Sequence, residues 1–235
     1  MKIIIAPSKT MIETGSPGTT SPLFPDKSQA LLDHLKQFDK NDLAAFFSVN
    51  ETIASENYSR FQNFDARHKA MDAYTGFQFK HLDAPSLDAA SRNYLEKHLY
   101  IMSGLYGIVR PTDTIGLYRL PMGLKLDGMF LKDHWKPLLT PYLKGETIIN
   151  LASKEYSDAI DSDLVQIITV VFKLDDQGKL KSPAMENKKM RGKMVRFMAE
   201  NKIEKPENLT SFTVDNYRFD PHLSTDDTYV YIKKV

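Results

Sequence analysis

The sequence predicts an α/β fold: one domain, 1–235, in which a mixed central sheet is flanked by helices. Three observations point there. Short apolar runs at residues 2–6, 99–102 and 147–152 lack polar alternation, as strands do when a sheet is covered on both faces. The stretches between them carry helical periodicity and helix-start signals. No internal repeat or composition shift divides the 235 residues, and a chain of this length buries a core without staples.

The elements follow in order. Residues 1–6 read as a central strand. Residues 10–25 hold Gly15, Pro17, Gly18, Pro22 and Pro25, a long loop of the kind that serves as a lid or mobile segment. Asp26 is placed to cap a helix whose Leu31, Leu32, Leu35 and Phe38 share a face, and shorter helices follow at 43–49 and 52–61. Residues 66–75 read as a helix ending at Gly76, and 77–80 stay unassigned. Pro85-Ser86 starts a helix over 87–99 that delivers the chain into the second apolar run. Residues 116–126 read as extended. A helix around Trp135 is expected to be shortened by Pro137 and Pro141. The third apolar run leads to Ser153, a helix cap. Residues 165–174 and 179–181 form a hairpin about Asp175-Asp176-Gln177-Gly178. Residues 185–202 form the clearest helix, with Met190, Met194, Phe197 and Met198 on one face and Lys189, Lys193 and Arg196 on another. A short helix at 204–209 and alternating strands end the chain.

Composition narrows the chemistry. There is no cysteine, which excludes disulfides, thiol peroxidase chemistry and Cys-ligated metal or iron–sulfur sites and fits a cytoplasmic protein. The six histidines are scattered without ligand spacing, so no metal and no cofactor is assigned. The first apolar run is too short for a signal peptide and no segment reaches membrane-span length, so no membrane partner is expected. Net charge is +1, so attraction for a polyanion must come from uneven charge distribution.

Two candidate sites emerge. The apolar runs each end in small, hydroxyl and charged residues, and in open α/β sheets ligands gather at the carboxyl ends of strands. If the three ends lie side by side, Ser8, Lys9, Ser103, Gly104, Tyr106, Gly107, Arg110, Asn150, Ser153 and Tyr156 form one cleft, joined by Tyr118 and Arg119 from the extended segment. Such donors and cations suit a small anion or a nucleotide with its base on tyrosine. The glycine spacing matches neither the dinucleotide nor the phosphate-loop signature, Ser8 and Lys9 are adjacent rather than facing, and no defined reaction follows. Gly and Ser also simply make turns. The second site is basic: nine Lys or Arg against three Glu between Lys179 and Lys205. Lysine and arginine neutralising phosphates give non-specific, salt-dependent DNA affinity, although a solvated amphipathic helix has the same pattern.

Four ordered motifs carry a resemblance. They are Ile5-Ala6-Pro7-Ser8-Lys9-Thr10; Met102-Ser103-Gly104-Leu105-Tyr106-Gly107 with Arg110-Pro111; Tyr118-Arg119-Leu120-Pro121-Met122-Gly123; and Ile149-Asn150-Leu151-Ala152-Ser153 with Glu155-Tyr156. With Arg191-Gly192 and the region of Tyr217 and Phe219, the whole chain resembles the YaaA family of bacterial peroxide-stress proteins. The resemblance implies a compact α/β fold with a basic cleft, a helix-hairpin-helix element, binding of double-stranded DNA, and protection against peroxide by limiting iron-dependent DNA damage. It assigns DNA contact to Lys188, Lys189, Arg191 and Arg196, beside Lys193. The cleft would run from that helix to Lys9 and Arg110. The helix-hairpin-helix would fall at 188–209 or, alternatively, at Gly104-Leu105-Tyr106-Gly107. Lys154 is given no role. A DNA-binding stress protein and an enzyme acting on a nucleotide or modified base both stand at this point.

Overall fold

A computed structural model describes all residues 1–235. The first strand, β1 (Lys2–Ile5), buries Ile3, Ile4 and Ile5 completely. Residues 6–24 have no helix or extended strand, yet they do not hang free. The Thr14 amide donates to His68 Nδ1 (3.0 Å), Thr19 and Thr20 donate to the Thr112 carbonyl, and the Arg110 guanidinium grips the Ser21 carbonyl (2.6 Å). The expected lid is strapped to the body of the protein.

Three helices follow. In α1 (Pro25–Leu35) the proline opens the first turn, where a missing N–H costs nothing; Asp26 lies inside that turn and Phe24 holds the cap position expected of it. Asp39 and Asp42 form a reciprocal capping box on α2 (Lys40–Phe47), and Asn50 caps α3 (Glu51–Gln62). Residues 66–75 are not one helix. They divide into β2 (His68–Lys69) and α4 (Ala70–Ala73), because 68–69 pair with 114–115 and the Ala70 amide bonds the Asp113 carbonyl. The unassigned stretch becomes α5 (Phe77–Leu82), and Asp88 caps α6 (Ala89–His98).

The second apolar run is β3 (Leu99–Ser103). It turns back through Gly104, Leu105 and Tyr106 into β4 (Gly107–Val109), a reversal the sequence reading missed. β5 (Thr114–Ile115) pairs with β2, and the small hairpin of β6 (Lys125–Leu126) and β7 (Met129–Phe130) leads to α7 (Leu131–Leu143). This helix runs through Pro137 and Pro141. A buried stripe of Leu131, Trp135, Leu139 and Leu143 at four-residue spacing offsets the hydrogen bonds the prolines remove. β8 (Thr147–Leu151), α8 (Lys154–Ser157), β9 (Gln166–Asp176), β10 (Lys179–Lys181), α9 (Ala184–Asn201), β11 (Arg218–Phe219) and β12 (Thr228–Lys234) complete the chain. The predicted helix at 204–209 is a 3-10 turn at Pro206–Ser211.

The large sheet has the order β11-β12-β9-β8-β1-β3-β4, with β10 on β9. Pairings are parallel from β12 through to β3 and antiparallel at β3–β4, β11–β12 and β9–β10, so the sheet is mixed, as expected. The three apolar runs are neighbours, β8-β1-β3. Beyond β9 an aromatic cluster closes the core: the Phe172 ring lies 5.4–5.9 Å from those of Phe212, Tyr217 and Tyr231, and Phe212 lies 5.6 Å from Tyr231. Met190, Met194 and Met198 of α9 are fully buried.

The β3–β4 turn is locked by Trp135. Its Nε1 donates to the Gly104 carbonyl (2.8 Å), and its ring lies where a Cβ on Gly107 would come to 2.6 Å, at a backbone φ of +76°. Both the space and the dihedral demand glycine. Gly107→Ala is expected to destabilise the protein by about 1–3 kcal/mol, read as a lower denaturant midpoint with an unchanged m-value.

Candidate functional site

The carboxyl ends of β8, β1 and β3 converge, and they bring most of the strand-end residues into one region. Pro7, Ser8 and Lys9 after β1 face Tyr118, Arg119 and Pro121 from the extended segment, with Tyr156 of α8. The space these residues enclose is only about 10 Å³, enough for one water and not for a nucleotide. Ser8 is already engaged: its Oγ accepts from the Thr10 amide (3.1 Å) and lies 3.0 Å from the Thr10 hydroxyl. Ser153 stands at the amino cap of α8, but its hydroxyl makes no capping bond.

The hydroxyls at the centre of this region hold the fold together. Ser103 Oγ lies 2.5 Å from the Tyr118 hydroxyl, which lies 2.8 Å from that of Tyr74. Ser103 Oγ also accepts from the Tyr106 amide (2.9 Å). The Tyr106 hydroxyl accepts from the Gly116 amide (2.9 Å), and its ring meets Tyr118 edge-on at 5.6 Å. All four side chains are buried. Burial pushes the Tyr118 phenol up to about 12, with hydrogen bonds from Ser103 and Tyr74 partly opposing it. Burial raises Tyr74, Tyr106 and Tyr156 as well. These phenols stay protonated at neutral pH and supply no base. Tyr106, expected to stack a nucleobase, is instead a buried strut. Gly104 and Gly107 are turn residues packed on Leu120 and Trp135.

Arg110 is displaced from the cleft. β4 runs antiparallel to β3, with Val109 opposite Ile101, so the chain has turned back from the strand ends before it reaches Arg110. Its guanidinium pairs with the fully buried Asp113 (2.9 Å) and the Ser21 carbonyl. Arg110, committed to Asp113 and Ser21, is not free to line a cleft running from α9 to Lys9. The sequence shows two glycines and cannot show that they reverse the chain.

Neither expected position holds a helix-hairpin-helix. Gly104 and Gly107 bracket a turn between strands, and α9 passes through Lys202 into the 3-10 turn.

The basic helix divides into three parts. Arg196 is an anchor, donating to the Leu82 and Asp83 carbonyls (3.3 and 3.1 Å), to Ser86 Oγ (2.7 Å) and to Glu200 (2.8 Å). Lys189 and Lys193 share one carboxylate, Asp215, each at 2.6 Å. Burial raises Asp215, but the hydrogen bonds from both lysines outweigh it and hold it down to about 2. Lys188 is exposed and in no ion pair. The helix reaches α5 through Gly192, where a Cβ would lie 2.2 Å from the Gln78 carbonyl oxygen. This contact sets Lys80 and His81 beside the lysines. Burial lowers the His81 pKa, and repulsion from Lys193, Lys189 and Lys80 lowers it further. Lys80, His81 and Asp215 were missed because they meet the helix only in space.

Arg191 is largely buried, its Nε without a partner. It lines a cavity of about 390 Å³ with Asn150, Thr169 and Thr228 of the sheet and with Lys154, Ser157 and Asp158 around α8. Asn150 from one predicted site and Arg191 from the other thus meet, along with Lys154, for which no role was foreseen.

The Asp215 cluster gives a pH prediction. A carboxyl held at about 2, against an ordinary value of 3.8, contributes stability that is complete above about pH 4 and is lost as pH falls toward 2. Asp215→Asn is expected to remove that part of the acid dependence and to lower Tm at pH 7, checked by melting both proteins from pH 7 to pH 2.

Comparison with known proteins adds the kinship. Residues 1–223 match the family model described as peroxide stress protein YaaA. A UPF0246 protein of Finegoldia magna is 37% identical over 243 residues, covering 100% of this chain and 99% of that protein. One from Rickettsia africae is 36% identical over 247 residues (99% and 100%), and one from a Marinomonas species 34% over 252 (99% and 97%). Matched over residues 1–223 by the family model and over its whole length by relatives, the chain belongs to the YaaA family of peroxide stress proteins, also called UPF0246.

Proposed function

We propose that this chain serves the peroxide-stress response by binding duplex DNA along its phosphates, without reading bases, and so limits iron-dependent strand damage. The observation that carries this reading is the field on the α5–α9 surface. α5 and α9 carry four lysines, Lys80, Lys188, Lys189 and Lys193, against two carboxylates paired with them, Asp215 and Glu186, and His81 lies among them. Lys80 and Lys188 are exposed there or on the same helix without ion-pair partners. DNA phosphates would meet these two unpaired lysines first and compete with Asp215 for Lys189 and Lys193. Arg191 and Arg196 leave the set of DNA contacts, since one is buried in a cavity and the other anchors α5.

The protective chemistry follows from counterion exchange. Cations condensed on DNA are released when lysines neutralise phosphates. Ferrous iron among them would be displaced, and peroxide would then be reduced away from the sugar backbone. No iron site on the protein is required.

The test is binding to a fluorescent duplex across a salt series. Affinity should fall log-linearly with salt, and Lys80→Glu with Lys188→Glu should lower the slope by about 2 and the affinity at least about tenfold. An unchanged slope in a folded double variant overturns the reading. In a strand-break assay with ferrous iron and peroxide, the wild-type protein should reduce cleavage and the double variant should not; equal protection by both would separate the peroxide role from this surface.

A further inference from the structure

We propose that the cavity between α8, α9 and the middle of the sheet binds a phosphate monoester, with Arg191 as the group that grips the phosphate. This goes beyond DNA binding at the α5–α9 surface and uses none of its exposed lysines.

The argument begins with charge. Arg191 forms no hydrogen bond or ion pair with the protein, and burial alone lowers its pKa. The carboxylates in the wall are committed elsewhere. Asp158 is held by Lys154 (3.0 Å) and Lys132 (3.4 Å), and Asp227 accepts from Thr225 and Thr228. Its Nε is buried without a partner, which is costly, while the rest of the guanidinium opens into the cavity. Gly192, pressed on the α5 backbone, fixes the neighbouring turn of α9 so that Arg191 faces the end of β8.

The shape and donors indicate the ligand. At about 390 Å³ the cavity lies in the range of small-molecule sites and exceeds a bare inorganic ion. A guanidinium fork matches two oxygens of a phosphate. The hydroxyls of Ser157 and Ser162 have no side-chain partner in the protein and are free to donate to the others. Asp227 and Thr169 at the wall can accept from the hydroxyls of a sugar. A nucleoside 5′-monophosphate fits this set. The same phosphate could come from a free molecule or from the 5′ end of a nicked strand.

The experiment is a thermal-shift titration of the full chain, begun phosphate-free, with inorganic phosphate, a nucleoside 5′-monophosphate, and nicked duplexes bearing a 5′-phosphate or a 5′-hydroxyl. The monophosphate should raise Tm in the wild type and at least tenfold more weakly in Arg191→Gln. Ser162→Tyr, which narrows the mouth and keeps Arg191, should also lose the response, so the proposal stays testable if the first variant fails to fold. A response only to the 5′-phosphorylated nick assigns the phosphate to a strand end, whereas a response to the free monophosphate assigns a small ligand. No response of the wild type to any phosphate, or an equal response in a folded Arg191→Gln or Ser162→Tyr, overturns the proposal.

Discussion

The structure depends on β1 being paired on both edges and covered on both faces. Ile3, Ile4 and Ile5 have no exposed surface, and their backbones bond β3 on one side and β8 on the other. Parallel pairing needs long crossovers, so residues far apart in the chain finish at one end of the sheet. The carboxyl ends of three strands therefore lie together, and everything considered for function stands at or beside that end.

What sits there is governed by desolvation. Ser103, Tyr74, Tyr106 and Tyr118 look like a polar site in one dimension. In the fold they satisfy one another and the Gly116 amide, which is how buried polar groups avoid a penalty. Arg191 is the contrast, a cation whose buried Nε nothing in the protein satisfies. A group that completes its bonds internally supports the fold, and one that does not is free to meet a ligand.

The charge of α9 shows the same distinction at the surface. By sequence it carries five cations against Glu186 and Glu200. In space, Asp215 arrives from a turn more than twenty residues later and Asp83 from the preceding layer, and they neutralise much of the stripe. What remains positive is shared between α9 and α5.

Apolar runs, caps and turn residues were legible in the sequence because they act over a few residues. The central strands, the hairpin at Gln177-Gly178, the boundaries of α9 and the adjacency of the three runs follow from hydrophobic pattern and local backbone chemistry. Family membership was legible too, as four motifs in order. The reversal at Gly104 to Gly107, the continuity of α7 through two prolines, the capture of Arg110 by Asp113 and Ser21, and the division of the cations into anchor, shared pair and an arginine with an unpaired Nε were decided only in three dimensions. Each depends on a contact that only the fold makes: Trp135 on the turn, burial of the α7 stripe, Ser21 with Asp113 on Arg110, and Asp215 on the lysines. Local propensity costs about 1 kcal/mol per residue or less, while a buried contact or an unpaired charge costs several, so where the two conflict the tertiary partner wins.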